Sequence, residues 1–255
     1  MGSVPSSNRQ AEAALNKIPQ VTLAFWIMKI CATTLGETAG DLLSMTLNIG
    51  YAASSVLLVA LFLVALGAQL GNRKFHPTLY WTVILATSTA GTTMSDFMDR
   101  TLALGYAKGS LILVLLLAGI IGLWRLAGGT LSVNRITARK DEIFYWSAIL
   151  VSNTLGTALG DYLADDSGLG FLGGAAVITA LIALVAAAHR FTKISPVFLF
   201  WCAFILTRPF GATFGDLLTK APAAGGLGLG TIGSSAVLFV ILVALVVRSR
   251  RRQPL

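Results

Sequence analysis

The chain has 255 residues, 55% of them hydrophobic and 12% charged, with a mean hydropathy of +0.78. That charged fraction is about half of a soluble domain's, and a soluble core cannot absorb so much apolar surface. The formal net charge of +8 is spread over the ends of apolar stretches rather than gathered on one patch, so no nucleic-acid partner is expected.

In chain order, a tail (1–18) leads into a first two-helix hairpin (19–74) and a second (75–128). A basic connection (129–142) follows, then a third hairpin (143–193), a fourth (194–248) and a basic tail (249–255). Stretches such as Ala52 to Leu70 approach the roughly 20 apolar residues that span a bilayer as helix. Pro19, Pro77 and Pro196 suit the first turns of three helices, and Asp141 and Glu142 suit the first turn of a fourth. Arg9, Lys17, Arg73, Lys74, Arg125, Arg135, Arg139, Lys140, Arg190, Lys193, Arg248, Arg250, Arg251 and Arg252 fall between or beyond hairpins, whereas the connections inside hairpins hold only Arg100, Lys108 and Lys220. This asymmetry predicts an all-α integral membrane protein with eight transmembrane helices and both termini cytoplasmic. Cys31 and Cys202 lie in apolar helices and read as core, not as a disulfide.

The hairpins are copies of one unit. Asp41, Asp96, Asp161 and Asp216 each follow a tryptophan by fifteen residues, namely Trp26, Trp81, Trp146 and Trp201, and each tryptophan follows Phe25, Tyr80, Tyr145 or Phe200. Five residues before each aspartate stands Gly36, Gly91, Gly156 or Gly211; one before it stands Gly40, Ser95, Gly160 or Gly215; nine after it stands Gly50, Gly105, Gly170 or Gly225. The aspartates are 55, 65 and 55 residues apart, so two duplications are implied. Because each copy holds two spans, the four repeats share one orientation, arranged pseudo-fourfold or two-by-two about an axis along the membrane normal.

With its aromatic-Trp pair and its Thr-x-Gly-x-x-x-(Gly/Ser)-Asp string at Thr34 to Asp41, Thr89 to Asp96 and Thr154 to Asp161, the chain resembles a family of bacterial membrane proteins. That family is defined by four tandem repeats of unknown function, each with two transmembrane segments and a characteristic tryptophan. The fourth copy departs, with Pro209 in place of the threonine. The resemblance implies a multi-pass protein of the bacterial inner membrane and carries no activity.

Fifteen helical residues put each aspartate about 22 Å beyond its tryptophan. With the aromatics at the cytoplasmic interface, the carboxylates lie in the outer third of the hydrocarbon. Positions four, eight and twelve before the aspartate share its helical face. Four before come Glu37, Thr92, Thr157 and Ala212; eight before, Thr33, Ser88, Asn153 and Arg208; twelve before, Lys29, Ile84, Ile149 and Phe204. The small residues form a small-xxx-small stripe that lets helices approach closely, so the four odd-numbered helices are expected to cluster and aim their carboxylates at one axis.

A carboxylate at the bilayer centre costs roughly 2.5–3.5 kcal/mol. Glu37 and the four aspartates against Lys29 and Arg208 leave an excess of three negative charges within the helices, to be met by protons, hydration or a bound cation. The expectation is a cation transporter or channel whose site is Asp41, Asp96, Asp161, Asp216 and Glu37, with Thr33, Thr92, Thr157 and Asn153 along the path and Lys29 and Arg208 as countercharges. A carboxylate and hydroxyl ring suits protons or a hard ion such as Mn or Mg. His76 and His189 are placed beside cytoplasmic basic residues, away from this ring, so no soft-metal or haem site and no cofactor is expected. No phosphate loop, nucleophile elbow or hydrolytic dyad stands out, so the chain is not read as an enzyme. The tryptophans read as interfacial anchors or packing groups, and the competing readings of function are a noncatalytic scaffold whose repeats serve helix packing and a carrier of a small organic cation. Expected partners are the cation or proton and the bilayer, with a homo-oligomer left open.

Overall fold

Serine, threonine and glycine fill the inward faces of alternate helices, while leucine, valine and isoleucine fill the helices between them. In the computed structural model, which describes residues 19–72, 75–129, 131–132, 136 and 138–251, this alternation sorts the chain into an inner and an outer ring. The helices are α1 (Leu23–Asp41), α2 (Tyr51–Gly71), α3 (Pro77–Asp96), α4 (Tyr106–Leu126), α5 (Arg139–Asp161), α6 (Gly170–Phe191), α7 (Pro196–Thr219) and α8 (Thr231–Arg251), and no strand occurs among the described residues. Tail residues 1–18, Arg73, Lys74, Arg135 and Arg252 lie outside the described residues.

Helix starts follow the sequence signals with adjustments. Pro77 and Pro196 open α3 and α7. Pro19 does not open α1: the helix starts at Leu23, and its N-cap is Thr22, whose hydroxyl accepts from the Phe25 N–H at 3.3 Å. The basic connection contributes its last residues to α5, whose first turn contains Asp141 and Glu142. At the other end, α8 runs into the basic tail as far as Arg251. Thr34, Thr89, Thr154 and Thr213 each donate to the carbonyl four residues earlier, at 2.9–3.1 Å. Their hydroxyls are thereby satisfied without water.

After the aspartate, repeats one to three add a single π-helical turn (Leu42–Thr46, Phe97–Thr101, Tyr162–Asp166) and then reverse. The reversal needs left-handed backbone at the same two offsets in each: Asn48 and Gly50, Ala103 and Gly105, Gly168 and Gly170. Repeat four differs. α7 stays α-helical to Thr219, a 3₁₀ turn (Pro222–Ala224) follows, and Gly225 caps that turn instead of starting the next helix. The start passes to Gly230, whose carbonyl accepts from Ser234 as that of Gly50 does from Ser54.

α1, α3, α5 and α7 pack in a closed inner ring, each against the next, with α7 returning to α1. Each outer helix leaves its own repeat and packs mainly on the inner helix of the following one: α2 on α3, α4 on α5, α6 on α7, and α8 on α1. The motif glycines make the inner ring possible. A Cβ on Gly36 would overlap Ser88; on Gly91, the backbone of Asn153 and Thr154; on Gly156, the side chain of Arg208; on Gly211, Thr33. Each glycine therefore receives the residue eight before the aspartate of the next repeat, which is small-xxx-small packing closed into a ring.

α2, α4, α6, α7 and α8 are long and apolar enough to cross a membrane. α1, α3 and α5 have similar lengths, but hydroxyl and carboxyl groups fill their inward faces. Rows of exposed leucines and valines on the outer helices, such as Val56, Leu61, Leu63 and Val64 on α2, give the ring an apolar outer surface of the kind that suits lipid.

Candidate functional site

The inner ring stacks its repeat positions in layers along one axis. The lowest layer is aromatic. Phe25 meets Trp81 with ring centroids 5.7 Å apart, Tyr80 meets Trp146 at 5.4 Å, Tyr145 meets Trp201 at 6.1 Å, and Phe200 meets Trp26 at 5.7 Å. The eight rings thus form a girdle in which each repeat grips the next. Trp81, Trp146 and Trp201 are buried in it and Trp26 is half-buried, so the tryptophans are inter-repeat packing groups and not lipid-facing anchors.

Above the girdle, Lys29 is fully buried. Its ammonium donates to Asn153 Oδ1 at 3.5 Å and lies 4.0 Å from the centroid of the Phe204 ring. Asn153 Nδ2 donates in turn to Thr87 Oγ1 at 2.9 Å. Lys29 therefore has no ion pair with Glu37 or Asp216 among the described residues.

Arg208 fills the next level. Its Nη2 lies 2.9 Å from Glu37 Oε2 and donates to Thr92 Oγ1 at 2.5 Å and Thr157 Oγ1 at 2.6 Å, while Nη1 reaches the Thr33 carbonyl at 3.4 Å. One side chain thus touches the other three repeats. Thr33 Oγ1 donates to the Thr207 carbonyl at 3.0 Å, across the α1–α7 contact. Arg208 and Glu37 are both buried and lie between the aspartates and the girdle.

At the top, all four aspartates are at least 96% buried, and two basic side chains join them in pairs. Lys220 Nζ lies 2.6 Å from Asp41 Oδ2 and 3.2 Å from Asp216 Oδ1. Arg100 places Nε 3.1 Å from Asp96 Oδ1 and Nη2 3.2 Å from Asp161 Oδ2. Packing below is fourfold; charge at the mouth is two-by-two. Beyond the end of α7, the Lys220 ammonium feels burial, which lowers its pKa, but the charges of Asp216 and Asp41 outweigh it and hold the group above the ordinary lysine range.

These two residues correct the charge balance expected from sequence. Arg100 and Lys220 were assigned to outer connections; in the structure they return to the site, each four residues after its own aspartate. The readable signal was that spacing, repeated after 120 residues in copies two and four, where copies one and three have Met45 and Asp165. Adding Arg100 and Lys220 to the sequence count lowers the excess along the whole axis from three negative charges to one; above Lys29, Glu37 and the four aspartates face Arg100, Lys220 and Arg208, which leaves two negative charges at the mouth. Among the described residues, Glu37, Asp41 and Asp216 form the one group of three potential metal ligands, with an oxygen from each within 4.8 Å of the others.

Fold and site together define a helical protein of four cyclically packed repeats around a buried, charged axis. The chain belongs to the family described as Repeat of Unknown Function (DUF347), whose model matches residues 24–75, 79–130, 144–195 and 199–253, one match per repeat. Comparison with curated proteins and with solved structures finds no match.

Proposed function

We propose that the protein is an eight-span inner-membrane carrier of a cation, with both termini cytoplasmic and its site in the outer half of the axis. The observation that carries this reading is the mouth itself. Buried carboxylates from all four repeats converge there, two tethered cationic groups already sit between them, and two negative charges remain. A deficit of two suits one hard divalent ion such as Mn or Mg, or two protons. The three-carboxylate group Glu37, Asp41 and Asp216 supplies the oxygen donors such an ion prefers. Arg208, seated across the axis beneath it, favours a carrier that must rearrange over a static pore.

An organic substrate has one specific observation in its favour: the primary ammonium of Lys220, held by Asp41 and Asp216, has the chemistry of an alkylamine. Calorimetric titration of the detergent-purified protein with Mn, Mg, Ca and methylamine separates the two. Saturable binding of one probe, abolished when Asp41, Asp96, Asp161 and Asp216 are all changed to asparagine, is expected, followed by uptake of that probe into proteoliposomes. Binding that survives in the asparagine variant would remove the carboxylate site, and absence of binding by every probe would remove the metal-ion and amine readings.

A further inference from the structure

Lys29 is a buried charged side chain that the mouth does not use. Its amine is fully buried, and its neighbours are an amide oxygen and an aromatic face. The titratable and charged groups around it are few. α3 faces its level with Ile84 and Ser88, α5 with Ile149 and Asn153, and α7 with Phe204 below and Arg208 above. α8 packs on another side of α1, where Cys31 Sγ lies 3.4 Å from the Leu238 carbonyl. One turn lower, the hydroxyls of Tyr80 and Tyr145 bond to each other at 2.8 Å. Arg208 is the charge that bears on Lys29, and Glu37 is the carboxylate that holds Arg208.

We propose that Lys29 carries an exchangeable proton that leaves when a cation takes Glu37, so that the carrier couples cation binding to proton release. The argument is charge balance on a closed axis. With the mouth empty of substrate, Glu37 balances Arg208. A hard cation on the Glu37 oxygens withdraws that balance, and Arg208 and Lys29 then stand one above the other in a water-poor core. A guanidinium does not give up its proton, so the charge that can leave is the proton on Lys29 Nζ. The N–H bond breaks, the electron pair stays on nitrogen as a neutral amine, and the proton passes to water. Coupling of this kind is reciprocal: acid must weaken cation binding by as much as the cation expels protons.

This inference rests on the cation reading, and the test separates the two. Mn binding to the detergent-purified full chain is followed by calorimetry in two buffers of different ionisation enthalpy, which counts protons released per ion bound. Wild type is compared with Lys29→Met and with Lys29→Arg, which keeps the charge but holds its proton. Both variants are expected to release about one proton fewer per Mn than wild type, with a pH dependence of log Kd shallower by about one. Mn binding with an unchanged proton count in either variant would overturn the coupling and leave the cation site standing. Wild type that binds none of Mn, Mg and Ca would overturn both the coupling and the divalent-ion reading it rests on.

Discussion

The α3–α5 contact and the α7–α1 contact are the same seam, 120 residues apart, and they have been furnished in opposite ways. At α3–α5, Arg100 clamps Asp96 and Asp161, donates to the Tyr51 hydroxyl at 3.3 Å, and lies about 6 Å from the ring centroids of both Tyr51 and Tyr106. Below it the seam's own side chains are uncharged, with Thr92 and Thr157 accepting from Arg208 of α7, Asn153 accepting from Lys29 of α1, and a Tyr80–Tyr145 hydrogen bond at the girdle. At α7–α1, Lys220 joins Asp216 and Asp41, and its ammonium also lies 3.8 Å from Met45 Sδ. Beneath it are Glu37, Arg208 and Lys29, and then Phe200 against Phe25 with no hydroxyl between them. Duplication supplied two equal seams. One is locked by Arg100 at the mouth and has no charged side chain of its own below it; the other stacks buried charges along its length that a moving ion can rearrange.

The sharpest break in this comparison is at the middle level. Arg208→Gln should strand Glu37 without its charge partner and cost about 3–5 kcal/mol in detergent unfolding, largely recovered in the Arg208→Gln, Glu37→Gln double variant. Its counterpart two repeats earlier, Ser88→Ala, should cost under about 0.5 kcal/mol, because the Ser88 hydroxyl is buried without a partner. Comparable losses at the two positions would dissolve the distinction between the seams.

What the seams share is tested next. Gly91→Ala pushes a methyl against the Asn153 backbone and Gly211→Ala pushes one against Thr33. Each should lower stability by about 1–3 kcal/mol and to a similar extent. Gly67→Ala, open to space on α2, should instead gain roughly 0.5–1 kcal/mol of helix propensity. At the mouth, Lys220→Gln removes a tethered competitor and should tighten Mn binding about tenfold, or about 1.4 kcal/mol; Arg100→Gln should loosen the fold without that gain. Isotherms for the two variants decide it, and equal tightening would mean both seams exchange. The smallest effect belongs to the girdle, where Tyr80→Phe should cost about 1 kcal/mol, with Tyr145→Phe adding little on top of it in thermal unfolding, since the two hydroxyls share one bond.

The repeat motif carried most of the architecture because its offsets are the contacts: each motif glycine meets the position eight before the next aspartate, and each aromatic meets the next tryptophan. Glu37 with Arg208 was foreseeable as a buried pair on one axis. Arg100 and Lys220 were not assigned to the site because charge placement sorts basic residues into loops, whereas a long side chain at the end of a helix can fold back over a turn. Gly225 misled for a local reason. Pro222 opens an extra turn in the last repeat, and a count from the aspartate has no access to that detour.

The handover of every outer helix to the next repeat has a consequence for how the chain comes together. α8 covers α1, so among the described helices the first in chain order is covered by the last. Before the ring closes, the Lys29, Glu37 and Asp41 face of α1 has neither α7 nor α8 against it, and the nascent arc of repeats has two raw ends. Assembly is therefore a clasp that shuts when α8 docks on α1, and a chain that lacks α8 is an open arc that other membrane-bound helices or chaperones can occupy.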